Sequence, residues 1–493
     1  MKTKTARPLA ILLLVLFSVQ STWATCGGGG GGGGGGMSGS GSNSSSAAPQ
    51  VYHVPWAQWK PKDAPITEGL VLYWFPASQA ELNKSSLLTS RALSIYAAQC
   101  VKMRVVDAGE PAAQKVLGDA KPPVAVLAKP DGSVIEKAEG KNNFLKAELV
   151  EKLVEGELKQ RDTAVESQLK EAKEKQKAGD KDAAIKLFQS VAGEKCMFPK
   201  KAKDAAKELK KLGVTEIASL TDDQIFSAPI MEKRQSALIE RTMQRGLVAE
   251  NSARYLTAEN LYTQAHRMDP ADPTPLRYLG ELYRHHIGDW DKARITFDAI
   301  LNMPADPLSR AVALHGLGKI TIHEGAFKKG LHLMEQSVAE YPTALAYRNL
   351  AVYWNSEHDM VKGSEYTQMA LAMDPKDPYN LVFSAVFMAA AGHGDEALKI
   401  ARSNVNLLPA SYNLAGIYAQ NGQRDKALAL LKRHFFQYER YQAVRSKEMM
   451  EARVDAVFDS LRSDQAFLAL TSGADGRLPM PMKSMAPGTR ENR

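Results

Sequence analysis

The sequence predicts a mainly α-helical protein, an α-solenoid of stacked helical hairpins that follows a small α/β domain. Proline predicts the solenoid, because it recurs in the C-terminal half at spacings of 34, 38, 33 and 34 residues with a small residue in phase. The prolines are Pro270, Pro304, Pro342, Pro375 and Pro409, and the small residues are Ala258, Ala293, Gly330, Gly363, Ala397 and Ala427. A hairpin of this length cannot bury its apolar stripe alone, so neighbouring hairpins must stack. An apolar and aromatic run at Leu70–Phe75 predicts the α/β domain, since such a run is typical of a strand buried on both faces.

Residues 1–25 have the composition of an export signal. Basic residues come first, then an apolar run over residues 9–19, then small residues before Cys26. The apolar run is too short for a permanent membrane span, so we expect a signal peptide and a periplasmic or cell-envelope location. Two interpretations stay open: cleavage after Ala24 to give a soluble protein, or a lipoprotein with lipid on Cys26. Residues 26–50, rich in Gly and Ser, are predicted to be a disordered linker.

Overall composition argues for folded domains and against a nucleic-acid partner. The net charge of +8 is modest for 493 residues, and no basic stretch is interleaved with aromatic residues. No later apolar run is long enough to span a bilayer, so contact with a membrane is expected only through a lipid anchor.

The α/β domain is predicted to cover residues 51–156. Strand signals lie at Leu70–Phe75, 101–106 and 121–127, with helical stretches between them, and a strong turn at residues 129–132 leads into a fourth strand. The order resembles the thioredoxin fold in its aromatic-ended strand, its hairpin, and Pro123 before a strand. This resemblance implies a cis peptide bond at Pro123 and an edge that faces peptides.

The domain departs from the thioredoxin pattern in its cysteines. Residues 76–82 contain no thiol, whereas the family carries Cys-x-x-Cys after the first strand and uses its lowered thiol pKa for disulfide exchange. We interpret Cys100 as a small core residue. Cys100 and Cys196 lie in what look like separate units, so neither a disulfide scaffold nor a metal framework is expected.

Residues 157–225 are predicted to be a helical connector with one isolated repeat-like hairpin. The stretch is dense in Glu, Lys, Gln and Ala, which favours helix. Ala184, Leu187 and Phe188 need a partner surface, so we expect a fairly rigid connection and not a free tether.

Residues 226–437 are predicted to form the array, and they resemble the tetratricopeptide repeat family across nearly 200 residues. One repeat carries, in family order, Leu279, Gly280, Tyr283, Trp290, Ala293 and Phe297. The stretch from Tyr283 to Gly288 is one residue longer than usual, which predicts an irregular turn. Residues 438–470 are expected to form a helical cap and residues 471–493 a disordered tail.

The resemblance implies a concave groove that binds a protein or peptide. The residues expected to face it are Arg277, Glu281, Arg284, Lys319, Arg348, Asn349 and Asn355. Glu281 replaces the first Asn of the carboxylate clamp found in some relatives, so that clamp does not carry over. The histidines are scattered and no phosphate-binding loop occurs, so no metal, cofactor or catalytic residue is predicted.

Three functions follow from these observations. The first is an exported, non-catalytic interaction scaffold. The alternative is a thiol-disulfide oxidoreductase of the thioredoxin-like class that acts in the envelope through Cys100. The third is a structural role in which the domains space other components at the cell surface.

Overall fold

The computed structural model describes residues 50–60, 66–214, 233–356, 359–439 and 442–472. The predicted signal peptide, Cys26, nearly all of the Gly/Ser-rich linker and the predicted tail lie outside these ranges. The fold class is confirmed: a small α/β region precedes a solenoid of helical hairpins. None of the helices in these ranges is both long and apolar enough to cross a membrane.

The α/β region is built on one mixed sheet. In the described ranges its strands are β1 (Ala57–Gln58), β2 (Leu70–Phe75), β3 (Val101–Val105), β4 (Val124–Ala128) and β5 (Val134–Glu139), in the order β1-β3-β2-β4-β5. Strand β3 runs parallel to β1 and β2, and β4 runs antiparallel to β2 and β5. Almost every side chain of β2 and β4 is buried, as the apolar runs predict. The peptide bond between Pro122 and Pro123 is cis.

Four helices accompany the sheet: α1 (Gln79–Lys84), α2 (Arg91–Ala98), α3 (Gln114–Leu117) and α4 (Ala147–Lys177). Serine hydroxyls cap the first two, because Ser78 accepts from the Glu81 amide and Ser90 from the Leu93 amide. Helix α2 is the one that matters for the rest of the molecule, since its first residue, Arg91, reaches the array.

The predicted connector packs onto the α/β region. Helix α4 runs through residue 156, and α5 (Lys181–Gly193) and α6 (Pro199–Lys211) fold back on it. Ala184 and Phe188 are fully buried and Leu187 is half-buried, in the same hydrophobic core as Leu72 and Trp74 of the sheet. The α/β region and these helices are therefore one packed body.

Cys100 packs against the core of the α/β region, but the expectation that Cys100 and Cys196 lie in separate units without a disulfide is wrong. Cys100 forms a disulfide with Cys196, 96 residues further along the chain, with the Cα atoms 5.8 Å apart. The pairing arises because α5 and the loop after it return to the core that contains β3. Sequence separation alone made the two cysteines look like members of different units.

The array consists, in the described ranges, of paired antiparallel helices. They are α7 (Lys233–Asn251) with α8 (Tyr255–Met268), α9 (Thr274–Glu281) with α10 (Trp290–Asn302), α11 (Pro307–His323) with α12 (Phe327–Glu340), α13 (Ala344–Ser356) with α14 (Met360–Met373), α15 (Pro378–Ala390) with α16 (Gly394–Ser403), and α17 (Ser411–Gln420) with α18 (Arg424–Arg433). Small residues set their spacing: a Cβ on Gly280 or on Gly316 would overlap the buried ring of Phe297.

The irregular turn predicted after Tyr283 is a π-helix. It covers Leu282–Ile287 and continues α9, and Gly288 ends it in the left-handed conformation at φ 79°. The extra residue is absorbed by widening one turn, as π-helical bulges do. This widened turn places His285 and Arg284 on the inner side of the array.

The chain end divides into two parts. A 3₁₀ helix (Ala456–Leu461) and α20 (Gln465–Leu470) bury Phe458, Leu461 and Phe467 against the core of the last hairpins. Before them, a second π-helix (His434–Tyr438) and α19 (Gln442–Val454) turn back toward the first helices of earlier hairpins. Helix α19 therefore lies inside the curve of the array.

Candidate partner-binding groove

The concave face of the array is formed by the first helix of each hairpin, chiefly α9, α11 and α13. The predicted groove residues on these helices are buried, with exposed fractions between 1% and 6%. They are Arg277, Glu281, Arg284, Lys319, Arg348 and Asn349. The side chain of Asn355 lies outside the part of the chain that the structure describes. Two segments of the same chain contribute to this burial, one along an edge of the array and one inside its curve.

The first segment is the N-terminal strap, residues 50–58. Its Val51 carbonyl accepts from the Tyr278 hydroxyl at 3.2 Å, and its Trp56 carbonyl accepts from the Tyr341 hydroxyl at 3.3 Å. Tyr278 lies on α9, whereas Tyr341 lies in the loop before α13. The strap thus follows the edge of the array where successive hairpins join.

Arg277 lies beneath the strap. Its guanidinium carbon is 5.7 Å from the ring centroid of Tyr278. Burial, together with the charge of Arg277, lowers the pKa of His53 in the strap to about 3. His53 is therefore neutral at physiological pH, and Arg277 belongs to an internal contact in the free chain.

A buried ion cluster, the Arg91 clamp, fastens the strap and the α/β region to the first hairpins. Arg91 pairs with Asp269, and its Nε lies 3.2 Å from Asp272 Oδ2. The Tyr52 hydroxyl donates to the same Asp272 oxygen at 2.8 Å, and Arg91 also donates to the Ser236 hydroxyl at 3.1 Å. The side chains of Arg91, Asp269 and Asp272 are 2%, 4% and 1% exposed, so the charges depend on one another.

Electrostatics within the clamp reflect this burial. Burial alone would lower the pKa of Arg91, but the charges of Asp272 and Asp269 raise it above its ordinary value. Burial raises the pKa of Asp269, and the charge of Arg91 opposes it. The sequence offered no signal for Arg91. Asp269 and Asp272 also stabilise the turn between α8 and α9, where they accept from the amides of Ala271 and Thr274.

The second segment is helix α19. Lys447 Nζ lies 3.2 Å from the ring centroid of Trp290 and 3.3 Å from the Gly288 carbonyl oxygen, to which it donates. On the next residue, Glu448 Oε2 is 3.6 Å from His434 Nε2. The Lys447 contacts attach α19 to the end of the widened turn of the second hairpin. The Glu448 contact attaches it to the second π-helix.

Arg284 and Lys319 lie beneath α19. Arg284 forms a two-pronged ion pair with Glu281, at 2.6 Å and 3.1 Å. Burial, and then the charge of Arg284, lower the pKa of Lys319, while Glu451 and Glu448 oppose this. Burial also raises the pKa of Glu448, but His434 and Lys319 outweigh it, so the net pKa lies below its ordinary value. We define the Trp290 site as Trp290, Arg284 and Lys319.

A small cavity of about 30 Å³ remains between α19 and the array. Its lining combines charged, aromatic and aliphatic side chains, namely Arg284, His285, Trp290, Lys319, Ile320, His323, Val444, Lys447, Glu448 and Glu451. Burial holds the pKa of His285, which is 2% exposed, well below its ordinary value. Because polar atoms form part of its wall, the cavity can hold water.

Arg348 and Asn349 lie further along the groove and bind within the array. Arg348 donates to Asn380, and its guanidinium lies 5.3 Å from the ring centroid of Tyr379. The Asn349 amide donates to His315 Nε2 at 2.8 Å. Both residues thus tie one hairpin to the next. Among the residues that the structure describes, no group of three or more His, Cys, Asp or Glu could hold a metal ion.

An array of helical hairpins whose inner face holds polypeptide defines a class of protein that works by binding other polypeptides. Residues 243–309, from α7 to the start of α11, match the tetratricopeptide repeat family. A second match is the "Protein CTR9 homolog" of Arabidopsis thaliana, 30% identical over 144 residues, or 27% of this chain and 13% of that protein. The chain thus spans only a small part of that relative's length. Tetratricopeptide repeats imply a protein–protein interaction scaffold.

Proposed function

We propose that this protein is an exported, non-catalytic scaffold that holds a protein or peptide partner in the concave groove of its repeats. The observation that carries the proposal is the groove itself, which binds polypeptide within its own chain. It receives a helix through Trp290, and the edge of the array receives an extended segment through Tyr278 and Tyr341. Side chains from successive first helices supply charge and aromatic faces, which suit peptide recognition.

The α/β region is proposed to be a thioredoxin-like module without redox activity. The parallel β2–β3 pair, the antiparallel β4–β5 pair and the cis bond at Pro123 support the resemblance. The segment after β2, where the family has its cysteines, contains no thiol, and its Ser78 and Glu81 side chains accept from backbone amides. The module's cysteine is engaged in a long-range disulfide, which suits a structural link.

Export is proposed from the N-terminal sequence and is supported by this disulfide, because disulfides persist mainly in oxidising compartments. Whether Cys26 carries lipid is decided by the mass of the mature N-terminus. A diacylglycerol-modified Cys26 would place the protein on a membrane surface, and an unmodified N-terminus after Ala24 would make it soluble.

Site-specific photo-crosslinking tests the scaffold. A crosslinking amino acid at Phe436, which is exposed beside α19, is compared with one at Val361 on the outer helix α14. In envelope extracts we expect discrete adducts from position 436 that excess unmodified protein removes. Identical adducts at both positions, or none at position 436, would contradict binding in the groove.

The alternative oxidoreductase function rests on the half-buried Cys100–Cys196 disulfide. An insulin-reduction assay separates it from the scaffold. The scaffold predicts no turnover, and turnover that disappears in Cys100→Ser would establish the enzyme instead.

A further inference from the structure

We propose that the Trp290 site recognises a partner helix that carries a cation followed one and four residues later by carboxylates, and that α19 occupies this site in the free chain. This inference rests on the proposed function and names the chemistry of the partner. Four observations carry it: the seat of the cation, the position of the carboxylates, the makeup of α19, and the separate attachment of the chain end.

The cation seat is built by the second hairpin. The Lys447 ammonium group lies over the face of the Trp290 ring. It also donates a hydrogen bond to the Gly288 carbonyl at the end of the widened turn. Asp289, Asp291 and Glu324 add negative potential there, because their charges oppose the effect of burial on the Lys447 pKa. The seat therefore selects a flexible, positively charged side chain.

The carboxylate seat lies deeper, on the neighbouring first helices. Glu448 and Glu451 line the same cavity as Arg284 and Lys319, and both stabilise the charge of Lys319. Residues 447 and 451 are four apart and so lie on one side of α19, with 448 adjacent. The recognised pattern is a cation at i with carboxylates at i+1 and i+4.

Helix α19 is held mainly by polar contacts in its first half. Val444 is its only apolar side chain on the cavity, and Met450 on the outer side is 52% exposed. In its second half, Met449 and Ala452 join the core of the last hairpins. A competing helix that places its carboxylates where Glu448 and Glu451 lie must displace α19 as far as residue 451, which also withdraws Met449 from that core.

The array does not depend on those residues for its end cap. Phe458, Leu461 and Phe467 cover the last hairpin from residues beyond α19. The site can thus exchange one helix for another while the repeats stay folded. Binding energy comes from matching charges in a partly desolvated site, where wrong charges are penalised.

The test uses the full chain and a fluorescent peptide with the sequence of residues 442–456. Fluorescence polarisation compares wild type, the triple variant Lys447→Ala/Glu448→Ala/Glu451→Ala, and the same triple variant with Trp290→Ala. We expect the triple variant to bind the peptide at least tenfold more tightly than wild type, since its own helix competes weakly. Adding Trp290→Ala should remove this gain.

Controls keep the result interpretable. Arg445→Ala alters α19 on the side that faces Phe436 and should leave peptide affinity unchanged. A peptide with Glu in place of Lys447 should not bind any variant. Hydrogen exchange on wild type with excess peptide should show faster exchange in residues 442–451 and unchanged exchange in α11.

The proposal is overturned if the folded triple variant shows no gain, if the gain survives Trp290→Ala, or if the triple variant loses protection throughout the array. The last outcome would make α19 an integral part of the fold. The polarisation experiment uses purified protein and peptide, so its result does not depend on the crosslinking experiment in extracts. If the peptide binds but position 436 gives no adduct, the Trp290 site binds its own helix and the proposed function fails separately.

Discussion

The two segments that occupy the array are held by different physics. The Arg91 clamp joins one guanidinium to two carboxylates and two hydroxyls, and its three charged groups are deeply buried. The first half of helix α19 is held by an ammonium group on an aromatic face, beside a small cavity. Removing one partner from a fully buried ion cluster leaves an uncompensated charge, whereas a half-buried lysine can return to water. We therefore expect the Arg91 clamp to stay closed in the folded protein and the Lys447 contact of α19 to open.

Breaking the Arg91 clamp should have the largest effect. Arg91→Ala leaves Asp269 and Asp272 buried without their guanidinium, and we expect a loss of about 3–5 kcal/mol in the free energy of unfolding by urea. The control is Arg310→Ala, which removes a part-exposed pair with Glu340 at 2.9 Å and should cost about 1 kcal/mol or less. Equal losses of unfolding free energy in Arg91→Ala and Arg310→Ala would show that the buried clamp stabilises the fold no more than a surface ion pair does.

Removing the Cys100–Cys196 disulfide tests whether the α/β region and helix α19 are stabilised independently. Cys100→Ser/Cys196→Ser removes a cross-link that closes a loop of 96 residues. We expect a loss of about 2–4 kcal/mol, because the unfolded chain regains conformational freedom. Protection of α19 from hydrogen exchange should not change, since the link lies within the other packed body. Faster exchange in α19 would show that the two bodies are coupled.

Acid should act on both segments, because the strap contains His53 and α19 lies against the buried His285, and both imidazoles are held neutral. Burial lowers the pKa of His53 to about 3 and holds that of His285 well below its ordinary value. The unfolded chain binds these protons near pH 6.5 and the folded chain does not, so stability falls as pH drops from about 6.5 toward 3. Each histidine contributes at most about 1.4 kcal/mol per pH unit.

Thermal melts at pH 7 and pH 5 measure this effect. His285→Gln should reduce the difference between the two midpoints, and His332→Gln, at an exposed position on α12, should not. An unchanged difference in His285→Gln would mean that His285 takes up no extra proton on unfolding.

The smallest effect is expected at the releasable contact. Lys447→Ala removes the cation from the Trp290 face and should cost about 1 kcal/mol in the free energy of unfolding. Hydrogen exchange in residues 442–448 should accelerate more than exchange in α17. A loss as large as that of Arg91→Ala would contradict the view that α19 opens independently.

Much of the architecture could be predicted from local patterns. Prolines and small residues mark the hairpins, and the packing of Gly280 and Gly316 on Phe297 shows why small residues recur. The longer stretch after Tyr283 predicted an irregular turn, and the π-helix is its structural form. These features depend on residues that are close together in the sequence, so local sequence patterns predict them.

The state of the groove could not be predicted in this way. Its residues were placed on the first helices by repeat position, but repeat position does not say what covers them. Arg284 and Lys319 are buried because α19 returns from more than a hundred residues away, and Arg277 because the strap does. No periodic signal connects Lys447 with Trp290 or Arg91 with Asp269.

By itself, the sequence determined the hairpin repeat, the order of strands and helices in the α/β region, and the absence of thiols after β2. Each of these follows from spacing and composition along the chain. Only the tertiary structure decided that Cys100 pairs with Cys196, that the connector shares the core of the sheet, and that the strap and α19 pack against the array. The physical reason is that such contacts join residues distant in sequence, where burial and charge pairing select the partner only once the chain has folded.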